Sequence, residues 1–418
     1  MNVYVPAGSD FPIENLPYGV FAAGREPHIG IAIGESIFDV NAATIAGLFD
    51  LQFHDRHILT APNLNPLLAA GRPMWTLLRE RVTALLQPGN DEVERSGNPA
   101  NIFVSRRDAQ MLVPFAPGDY VDFYSSLEHA TNMGKIIRPD SAALLPNWRY
   151  LPIGYHGRAS TIVIDGTPVV RPSGQSKPAA ADEPVYGPTR SLDIELEMGF
   201  ITGPATNLGT PLPIADARDH IFGLVIVNDW SARDIQAWEY QPLGPFLGKS
   251  FATSVSPWVV TLDALEPYRV AGPPQEPEPF AHLRSPGNFS YDINLQVLLQ
   301  SEQMRQHGAP PAAIARSNYK YMYWNMAQQL AHAASNGTAI RPGDLYASGT
   351  ISGPDPGSYG SMMELTWRGA NPLKLPSGEE RGFLSDGDTV TLRAWCEREG
   401  LPRIGFGSVS GTILPARP

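Results

Sequence analysis

The sequence has a single cysteine, Cys396, among its 418 residues. One cysteine excludes an intrachain disulfide and any cysteine-rich zinc site, and it is typical of a chain that works in a reducing cytoplasm. Long apolar runs are also missing, so no segment predicts a membrane-spanning helix. Residues 1–6 lack the basic start and apolar core of a secretory signal. We therefore expect a cytoplasmic protein without a membrane partner.

Basic residues are scarce relative to acidic ones, since 31 Lys and Arg stand against 42 Asp and Glu and give a formal net charge of −11. A nucleic-acid partner requires a basic face, so this balance argues against one. Several catalytic motifs are missing as well. No Gly-x-Gly-x-x-Gly follows a predicted strand, and there is no Gly-x-Ser-x-Gly elbow and no His-Glu-x-x-His pair. Nucleotide cofactors, serine hydrolysis and zincin chemistry consequently have little support.

Glycine and proline are abundant, at 39 and 41 residues, and they punctuate short runs of Val, Ile and Thr. This texture predicts a strand-rich protein with many turns, and the irregular mixture of strands and helices argues against a doubly wound parallel sheet. The length favours two domains. The proline-rich segment 114–118 is the predicted linker between residues 1–115 and a larger domain of residues 119–418. The predicted fold class is mainly β with some helix (α+β).

Local patterns predict individual elements in both domains. Residues 29–33 and 37–40 form a hairpin of a small barrel or sheet, and residues 71–86 form a helix. In the larger domain, Asp165-Gly166 predicts a hairpin between residues 161–164 and 167–171. Residues 317–335 predict one long helix with Ser317 as its N-cap. Further strands are predicted at residues 291–297, 362–367, 389–395 and 408–414.

A strand with two unlike faces stands at the centre of the larger domain. In residues 191–200, apolar residues alternate with Glu195 and Glu197, so both carboxylates point to one face. The simplest interpretation is a solvated face, because charged side chains are mostly exposed. Two other acidic residues favour a different interpretation of this face. Asp229 follows the apolar run 220–227, and Asp122 lies in the apolar segment 120–126. Three acidic segments on apolar strands suit a hard divalent cation with oxygen ligands.

Three polar stretches add candidate functional groups. His129 follows Asp122 closely, and although a histidine is more often a surface or satisfied core residue, a general base beside a metal would be chemically useful. Tyr155 is flanked by glycines that predict a loop where the backbone approaches another group, with an ordinary core ring as the alternative. Residues 229–253 are too polar for a core and too aromatic for an idle surface, which suits a pocket for a small organic anion.

The motifs in these stretches resemble those of the fumarylacetoacetase family. The motifs are D-F-Y-S-S from Asp122, H-A-T-N from His129, L-P-I-G-Y-H-G-R-A-S from Leu151, D-I-E-L-E-M from Asp193, N-D-W-S-A-R-D-I-Q-A-W-E-Y-Q-P-L-G-P-F-L-G-K-S-F from Asn228 and A-S-G-T-I-S-G from Ala347. A Glu-x-Glu pair with one Asp would indicate only a wider superfamily of acylpyruvases, decarboxylases and isomerases. The long run at 228–251 and the separate N-terminal module favour the narrower family, and the similarity extends through nearly the whole chain.

The resemblance implies a small barrel-like N-terminal domain, a β-rich catalytic domain and a homodimer. The implied reaction is the hydrolysis of a C–C bond in 4-fumarylacetoacetate, a dicarboxylate β-diketone, to fumarate and acetoacetate in the last step of tyrosine breakdown. Oxygen ligands favour Ca²⁺ and/or Mg²⁺ over Zn²⁺ as the cofactor. Two alternatives stay open: an acylpyruvate hydrolase or decarboxylase on the same scaffold, and a metal-stabilised binding module without turnover.

The resemblance also implies roles for individual residues. The implied metal ligands are Asp122, Glu195, Glu197 and Asp229, with Lys249 and Thr253 near a second cation. The implied catalytic residues are His129 as the base and Glu364 as its orienting carboxylate. The tetrahedral alkoxide also needs donors, and the available ones are Arg233, Arg138, Gln236 and Lys249. The implied substrate contacts are Tyr124, Arg138, Tyr155, Gln236, Tyr240 and Thr350. The sequence does not assign which donor faces the oxyanion and which faces a substrate carboxylate.

Overall fold

The computed structural model describes residues 4–49, 55–97, 99–178, 180–285 and 287–417. The described strands are β1 (Tyr18–Ala23), β2 (Glu26–Ile33), β3 (Ser36–Asp39), β4 (Phe103–Ser105), β5 (Met111–Leu112), β6 (Tyr120–Phe123), β7 (Gly154–His156), β8 (Ile162–Ile164), β9 (Val169–Val170), β10 (Ser173–Ser176), β11 (Val185–Pro188), β12 (Leu192–Asp193), β13 (Leu196–Thr202), β14 (Ile221–Asp229), β15 (Ser231–Ala232), β16 (Thr253–Val255), β17 (Val260–Thr261), β18 (Arg269–Ala271), β19 (Phe289–Tyr291), β20 (Asn294–Gln300), β21 (Ala312–Asn318), β22 (Leu345–Ala347), β23 (Leu373–Lys374), β24 (Glu380–Arg381), β25 (Thr389–Cys396) and β26 (Ile404–Leu414).

The helices are fewer and mostly short. Those in the described residues are α1 (Val40–Ile45), α2 (Asn65–Ala69), α3 (Arg72–Leu86), α4 (Glu92–Arg95), α5 (Pro99–Ile102), α6 (Leu127–Ile137), α7 (Arg233–Glu239), α8 (Leu262–Leu265), α9 (Glu302–Gln306), α10 (Met326–Ala333) and α11 (Met362–Leu365). In the part of the chain that the structure describes, no helix has both the length and the apolar character needed to cross a bilayer.

The N-terminal module is built on one antiparallel sheet with the strand order β4-β3-β2-β1-β5. The predicted hairpin at residues 29–33 and 37–40 is confirmed as β2 and β3, which pair directly across Gly34-Glu35. The predicted helix at residues 71–86 is confirmed as α3. Its apolar residues at helical spacing bury one face against the sheet: Trp75, Leu78, Val82 and Leu85.

The larger module contains two main sheets. One sheet of eight strands has the order β7-β6-β22-β13-β14-β16-β8, and β17 pairs with β14 beside it. A second sheet of five strands has the order β21-β20-β25-β26-β9. A small N-terminal module joined to a larger β-rich module confirms the predicted mainly β, α+β fold class.

Both faces of the central strands of the eight-stranded sheet are buried, and the two faces pack into different hydrophobic cores. Every residue of β13 and β14 is buried. Met198 and Ile226, which are register partners, point into the core of the larger module. Ile201 and Val225 point the opposite way, into the core of the N-terminal module. A sheet covered on both sides explains why its strands are so apolar.

The hairpin predicted at Asp165-Gly166 is wrong. Strand β8 pairs in parallel with β16, whereas β9 pairs in parallel with β26, so the two segments lie in different sheets. The backbone N–H and the hydroxyl of Ser410 both donate to Asp165 Oδ1, at 2.6 and 2.8 Å. The N–H of Gly166 donates back to the Ser410 carbonyl. The local turn does form, since the Thr167 N–H donates to the Ile164 carbonyl, but the two flanking segments pair with distant strands and not with each other.

Two further element predictions are wrong. Residues 317–335 are not one helix, because β21 runs to Asn318 and α10 begins only after Asn325, which forms a capping box with Gln328. Residues 362–367 are not a strand, because the short helix α11 begins there with Ser361 as its N-cap. In both places a side chain that satisfies free N–H groups sets the start of the helix.

Candidate metal centre and catalytic pair

Four acidic residues converge at one end of the eight-stranded sheet. Asp122 lies on β6, Glu197 on β13, Asp229 at the end of β14 and Glu195 immediately before β13. One oxygen of each carboxylate lies within 4.8 Å of the others, and all four side chains are buried. The structure therefore brings together the acidic residues of all three segments, and it excludes a solvated face for the Glu-x-Glu pair.

Strand geometry explains the convergence. Glu197 lies on the same face of β13 as Ile201, four residues away, and Asp229 lies on the same face of β14 as Val225. Asp122 joins them because it is the register partner of Ala347 on β22, the strand between β6 and β13. The face that packs against the N-terminal module thus changes from apolar to acidic toward one end of the sheet.

The cluster of four carboxylates fits a divalent cation. Burial and the neighbouring carboxylates raise the pKa of Asp122 and that of Glu197 well above their ordinary values. Asp122 Oδ1 and Glu197 Oε1 are buried without a hydrogen-bond partner among the described residues. A buried acidic oxygen without a donor costs free energy, and such oxygens are ligands that Ca²⁺ and Mg²⁺ prefer. The donor set contains no sulfur or nitrogen that would favour zinc.

Two cationic side chains contact one edge of the cluster. The Lys249 ammonium donates to Glu195 Oε2 and, at 2.6 Å, to Asp229 Oδ2. Arg233 Nη1 lies 2.8 Å from Glu195 Oε1. Burial alone would raise the pKa of Glu195, but Lys249 and Arg233 together lower it to about 2. The Thr253 hydroxyl donates to Asp229 Oδ1 at 3.2 Å, so Lys249 and Thr253 both reach the cluster through Asp229.

His129 and Glu364 form a buried pair. His129 lies in the first turn of α6 and Glu364 in α11, and His129 Nδ1 lies 2.7 Å from Glu364 Oε2. Burial would raise the pKa of Glu364, but His129, Asn132 and Ser361 lower it. The Ser352 hydroxyl also donates to Glu364 Oε2, at 2.9 Å. An ionised carboxylate at Nδ1 fixes the Nδ1–H tautomer and leaves Nε2 as the proton acceptor.

The local sequence explains how His129 is held. The Ser126 hydroxyl caps α6 by accepting the His129 N–H at 3.1 Å, and it donates to the Ser352 carbonyl. The ring of Tyr124 packs edge-on against the imidazole, with 5.3 Å between the ring centroids. Burial raises the pKa of the Tyr124 hydroxyl, which therefore stays protonated. His129 consequently has a fixed position and a fixed ring orientation.

Three predicted site residues outside the acidic cluster each have a buried polar atom without a hydrogen-bond partner among the described residues. These atoms are Thr350 Oγ1, Arg138 Nε and Arg233 Nη2. The other nitrogens of Arg233 are engaged, because Nε donates to Asp193 at 2.8 Å and Nη1 donates to Gln236 Oε1 at 3.1 Å. Arg138 also donates to the Ala143 carbonyl through Nη2. Unpaired buried groups of this kind are what a carboxylate or carbonyl ligand would satisfy.

The remaining predicted contacts lie on β7 and α7. The Tyr155 hydroxyl donates to Asp229 Oδ2 at 2.8 Å, so this ring is more than a core residue. Gln236 reaches the site through Arg233, and Tyr240 is the half-buried residue at the end of α7. A cavity of about 420 Å³ opens onto Asp229 and is lined by Tyr120, Tyr155, His156, Gly157, Arg158, Thr161, Pro245, Phe246, Leu247, Lys249 and Ser250.

Sequence reasoning missed Gly349. Its backbone N–H donates to Glu197 Oε2 at 3.0 Å, so it supplies the hydrogen bond that orients this carboxylate. Gly349 has a φ of +79°, and a Cβ built on it would lie 2.2 Å from the Phe123 carbonyl oxygen. Only glycine fits there. The motif A-S-G-T-I-S-G contributes to the family resemblance, but nothing in the local sequence indicates that this glycine faces a carboxylate.

Sequence reasoning also missed Asp193, although a signal was present. In D-I-E-L-E the three acidic residues are spaced by two, so strand alternation places Asp193 with Glu195 and Glu197. The side chain is fully buried and accepts the Arg233 Nε–H at 2.8 Å. Asp193 therefore holds the guanidinium that contacts Glu195.

Two protein-family models together match almost the whole chain. The family model of the fumarylacetoacetate hydrolase C-terminal domain matches residues 120–414, and the family model of the fumarylacetoacetase N-terminal domain matches residues 14–114. The solved structure of a fumarylacetoacetate hydrolase from psychrophilic Exiguobacterium antarcticum superposes with a TM-score of 0.53 at 17% identity. It covers 96% of this chain and 99% of that one, which shows a shared fold.

Curated relatives are similar along almost their entire length. The human fumarylacetoacetase is 49% identical over 417 residues, which cover 99% of this chain and 98% of that protein. The Caenorhabditis elegans fumarylacetoacetase is 50% identical over 422 residues, with 99% of each chain covered. The Arabidopsis thaliana fumarylacetoacetase is 47% identical over 423 residues, again with 99% of each covered.

A β-rich fold with a buried acidic cluster and a His–Glu pair defines an enzyme of the fumarylacetoacetate hydrolase fold. Within that class, the chain belongs to the fumarylacetoacetase family, because both family models and the full-length relatives agree. It is accordingly a hydrolase that acts on carbon–carbon bonds.

Proposed function

We propose that this chain hydrolyses 4-fumarylacetoacetate to fumarate and acetoacetate. The observation that carries the proposal is the buried acidic cluster together with the buried His129–Glu364 pair. The curated fumarylacetoacetases at about half identity along the whole chain support the choice of substrate. A binding module without turnover would need the acidic cluster alone, and it would have no use for a buried His–Glu pair.

Asp122, Glu195, Glu197 and Asp229 would hold a divalent cation, and we propose Ca²⁺ or Mg²⁺ because all four ligands are carboxylate oxygens. When bound, such an ion supplies positive charge that favours the enolate form of a β-diketone. The Lys249 ammonium group contacts Glu195 and Asp229 and adds a further positive charge beside the acidic cluster. Thr253 orients Asp229 through its hydroxyl.

We assign the proton transfer to His129. Its Nε2 takes a proton from the attacking water while the water oxygen bonds to the ketone carbon. The C–C bond then breaks, its electrons pass to the acetoacetate carbon, and that carbanion takes up the proton from the imidazolium. The Glu364 carboxylate, 2.7 Å from Nδ1, stabilises the imidazolium between these two steps.

The unpaired donors would bind the rest of the substrate. Arg233 Nη2, Arg138 Nε and Thr350 Oγ1 are buried groups that carboxylate or carbonyl oxygens would satisfy. Gln236 holds Arg233 in place, and Lys249 would donate to the alkoxide. We place Tyr124, Tyr155 and Tyr240 around the substrate as further contacts.

The resemblance supports four additional proposals. The chain would act as a homodimer, in the cytoplasm, at the end of tyrosine breakdown. It would divide into domains of residues 1–115 and 119–418, a division supported by two family models that match 14–114 and 120–414.

A substrate panel tests the proposed function. Purified protein is given fumarylacetoacetate or an acylpyruvate, with and without a chelator, and chromatography follows the release of fumarate from the first substrate and of pyruvate from the second. We expect turnover of fumarylacetoacetate that the chelator abolishes and that Ca²⁺ or Mg²⁺ restores. Glu197→Gln, which removes one ligand charge at nearly constant shape, should fold and lose this turnover. Preferred turnover of acylpyruvates, or turnover that survives chelation, would refute the proposal.

A further inference from the structure

We propose that Asp193 is a positioning residue that joins the two halves of the active site. The proposal rests on the function proposed above and assigns a role to a side chain that does not belong to the acidic cluster. Asp193 is fully buried on β12, next to the segment that carries Glu195. Its two oxygens accept hydrogen bonds from two separate parts of the site, the guanidinium of Arg233 and the first turn of α11.

The first connection holds Arg233. Asp193 Oδ2 accepts the Arg233 Nε–H at 2.8 Å, while Arg233 Nη1 lies 2.8 Å from Glu195 Oε1. The planar guanidinium is thus fixed at two corners by two carboxylates. Its third corner, Nη2, is buried and unpaired among the described residues. Asp193 therefore determines where the one free donor of Arg233 points.

The second connection holds Glu364. Asp193 Oδ1 accepts the Met362 N–H at 2.7 Å, and Oδ2 accepts the Met363 N–H at 3.1 Å. These are the first two residues of α11, and Glu364 is the third. The first N–H groups of a helix have no partner inside the helix, and a carboxylate there is favourable. Asp193 thereby fixes the helix start from which Glu364 reaches His129.

Through this arrangement, the Asp193 carboxylate fixes the positions of both Arg233 and Glu364. If Asp193 loses its charge, Arg233 can rotate and α11 can shift, and both changes reach reacting groups. Residues that orient ligands in this way typically affect activity by roughly 10- to 100-fold when they are replaced. A side chain that only fills the core would lower stability without a specific effect on turnover.

The test compares Asp193→Asn with a matched control. Asp388 is also fully buried, and it accepts from Arg381 Nε at 2.8 Å, from Arg381 Nη2 at 3.0 Å and from the Ser385 N–H at 2.9 Å. It lies beside β25, outside the candidate site. We expect Asp193→Asn to lower kcat roughly 10- to 100-fold. Asp388→Asn should lower the melting temperature and leave kcat within about twofold of wild type.

A second pair of variants tests the connection to α11 without altering Asp193. Met362→Pro removes the N–H that Asp193 accepts, and proline is tolerated at the first position of a helix. Ser361, which precedes it, already has the extended backbone that proline requires of its neighbour. Met362→Ala removes the same core side chain but keeps the N–H. We expect Met362→Pro to have the lower kcat of the two by roughly 10-fold.

A double variant that combines Asp193→Asn with Glu364→Gln distinguishes a positioning role of Asp193 from a purely structural one. If Asp193 acts through Glu364, the double variant should lose less than the product of the single losses. Multiplicative losses, an unchanged kcat in Asp193→Asn, or equal kcat in the two Met362 variants would overturn the proposal. If the wild type hydrolyses acylpyruvates instead, the proposed substrate fails. The kcat values of the same variants relative to wild type, measured with acylpyruvates, then still decide the role of Asp193.

Discussion

The His129–Glu364 pair gives the most demanding prediction about the mechanism. Glu364 Oε2 accepts hydrogen bonds from His129, Ser352 and Ser361, while Oε1 accepts one from Asn132. In Glu364→Gln the amide oxygen can take the place of Oε2 and keep three of these bonds. The amide nitrogen would then face Asn132, whose own amide can turn over to accept from it. The variant should therefore fold normally.

The expected losses follow from the chemistry of the pair. Replacing a charged acceptor by a neutral one weakens support for the imidazolium by about 1–2 kcal/mol, which corresponds to roughly 5- to 30-fold in kcat. His129→Ala removes the base itself and should cost about 10²–10⁴-fold. The kcat of the double variant should lie within about twofold of the kcat of His129→Ala, because Glu364 has no imidazole to orient once His129 is replaced.

Steady-state turnover of fumarylacetoacetate by the three variants and the wild type measures these losses. Metal content, measured in parallel by elemental analysis, should stay near that of the wild type, because neither residue belongs to the acidic cluster. Multiplicative losses in the double variant, or full turnover by His129→Ala, would refute the pair as the base. The water would then have to lose its proton elsewhere.

Three further predictions concern stability. After metal removal with a chelator, adding Ca²⁺ at about 100 times its Kd should raise the free energy of unfolding by about 2.7 kcal/mol, or the melting temperature by about 3 °C for a chain of this length. The Glu197→Gln variant should lose most of this stabilisation. Gly349→Ala should lower the free energy of unfolding by more than about 2 kcal/mol in a denaturant titration, because its φ of +79° and the Phe123 carbonyl both oppose a Cβ. Hydrogen bonds from Arg81 lower the pKa of Glu92 from 4.5 to about 2, so its contribution is present above pH 4.5 and lost as the pH falls toward 2. Glu92→Gln should accordingly melt below wild type at pH 7, and the difference should vanish in that acidic range.

Local patterns in the sequence were sufficient where a single element decides its own structure. The four buried apolar residues of α3 and the hairpin of β2 and β3 follow from spacing alone. The hairpin predicted around Asp165-Gly166 does not, because its two flanking segments pair with β16 and β26, far away in the chain. A turn signal describes four residues and contains no information about distant partners.

The acidic cluster was predictable for a related reason. Alternation places Glu195 and Glu197 together, and the ends of apolar strands gave Asp122 and Asp229. What could not be predicted is which buried donors lack a partner. That depends on how Arg233 is held by Asp193, which in turn depends on the position of α11, a helix that the sequence pattern presented as a strand.

The face of the sheet that ends in the acidic cluster also supports the N-terminal module, and this has a consequence for the amount of enzyme in a cell. Tyr18 and Trp75 of that module pack edge-on against Phe222 of β14, with 5.2 and 5.0 Å between ring centroids. These rings include none of the proposed reacting groups, so we expect their substitution to weaken the packing of the strand that carries Asp229. A loss of about 1–2 kcal/mol can change the abundance of a protein several-fold through quality control. Substitutions that remove this ring packing should therefore produce fewer enzyme molecules, each of which works at the normal rate.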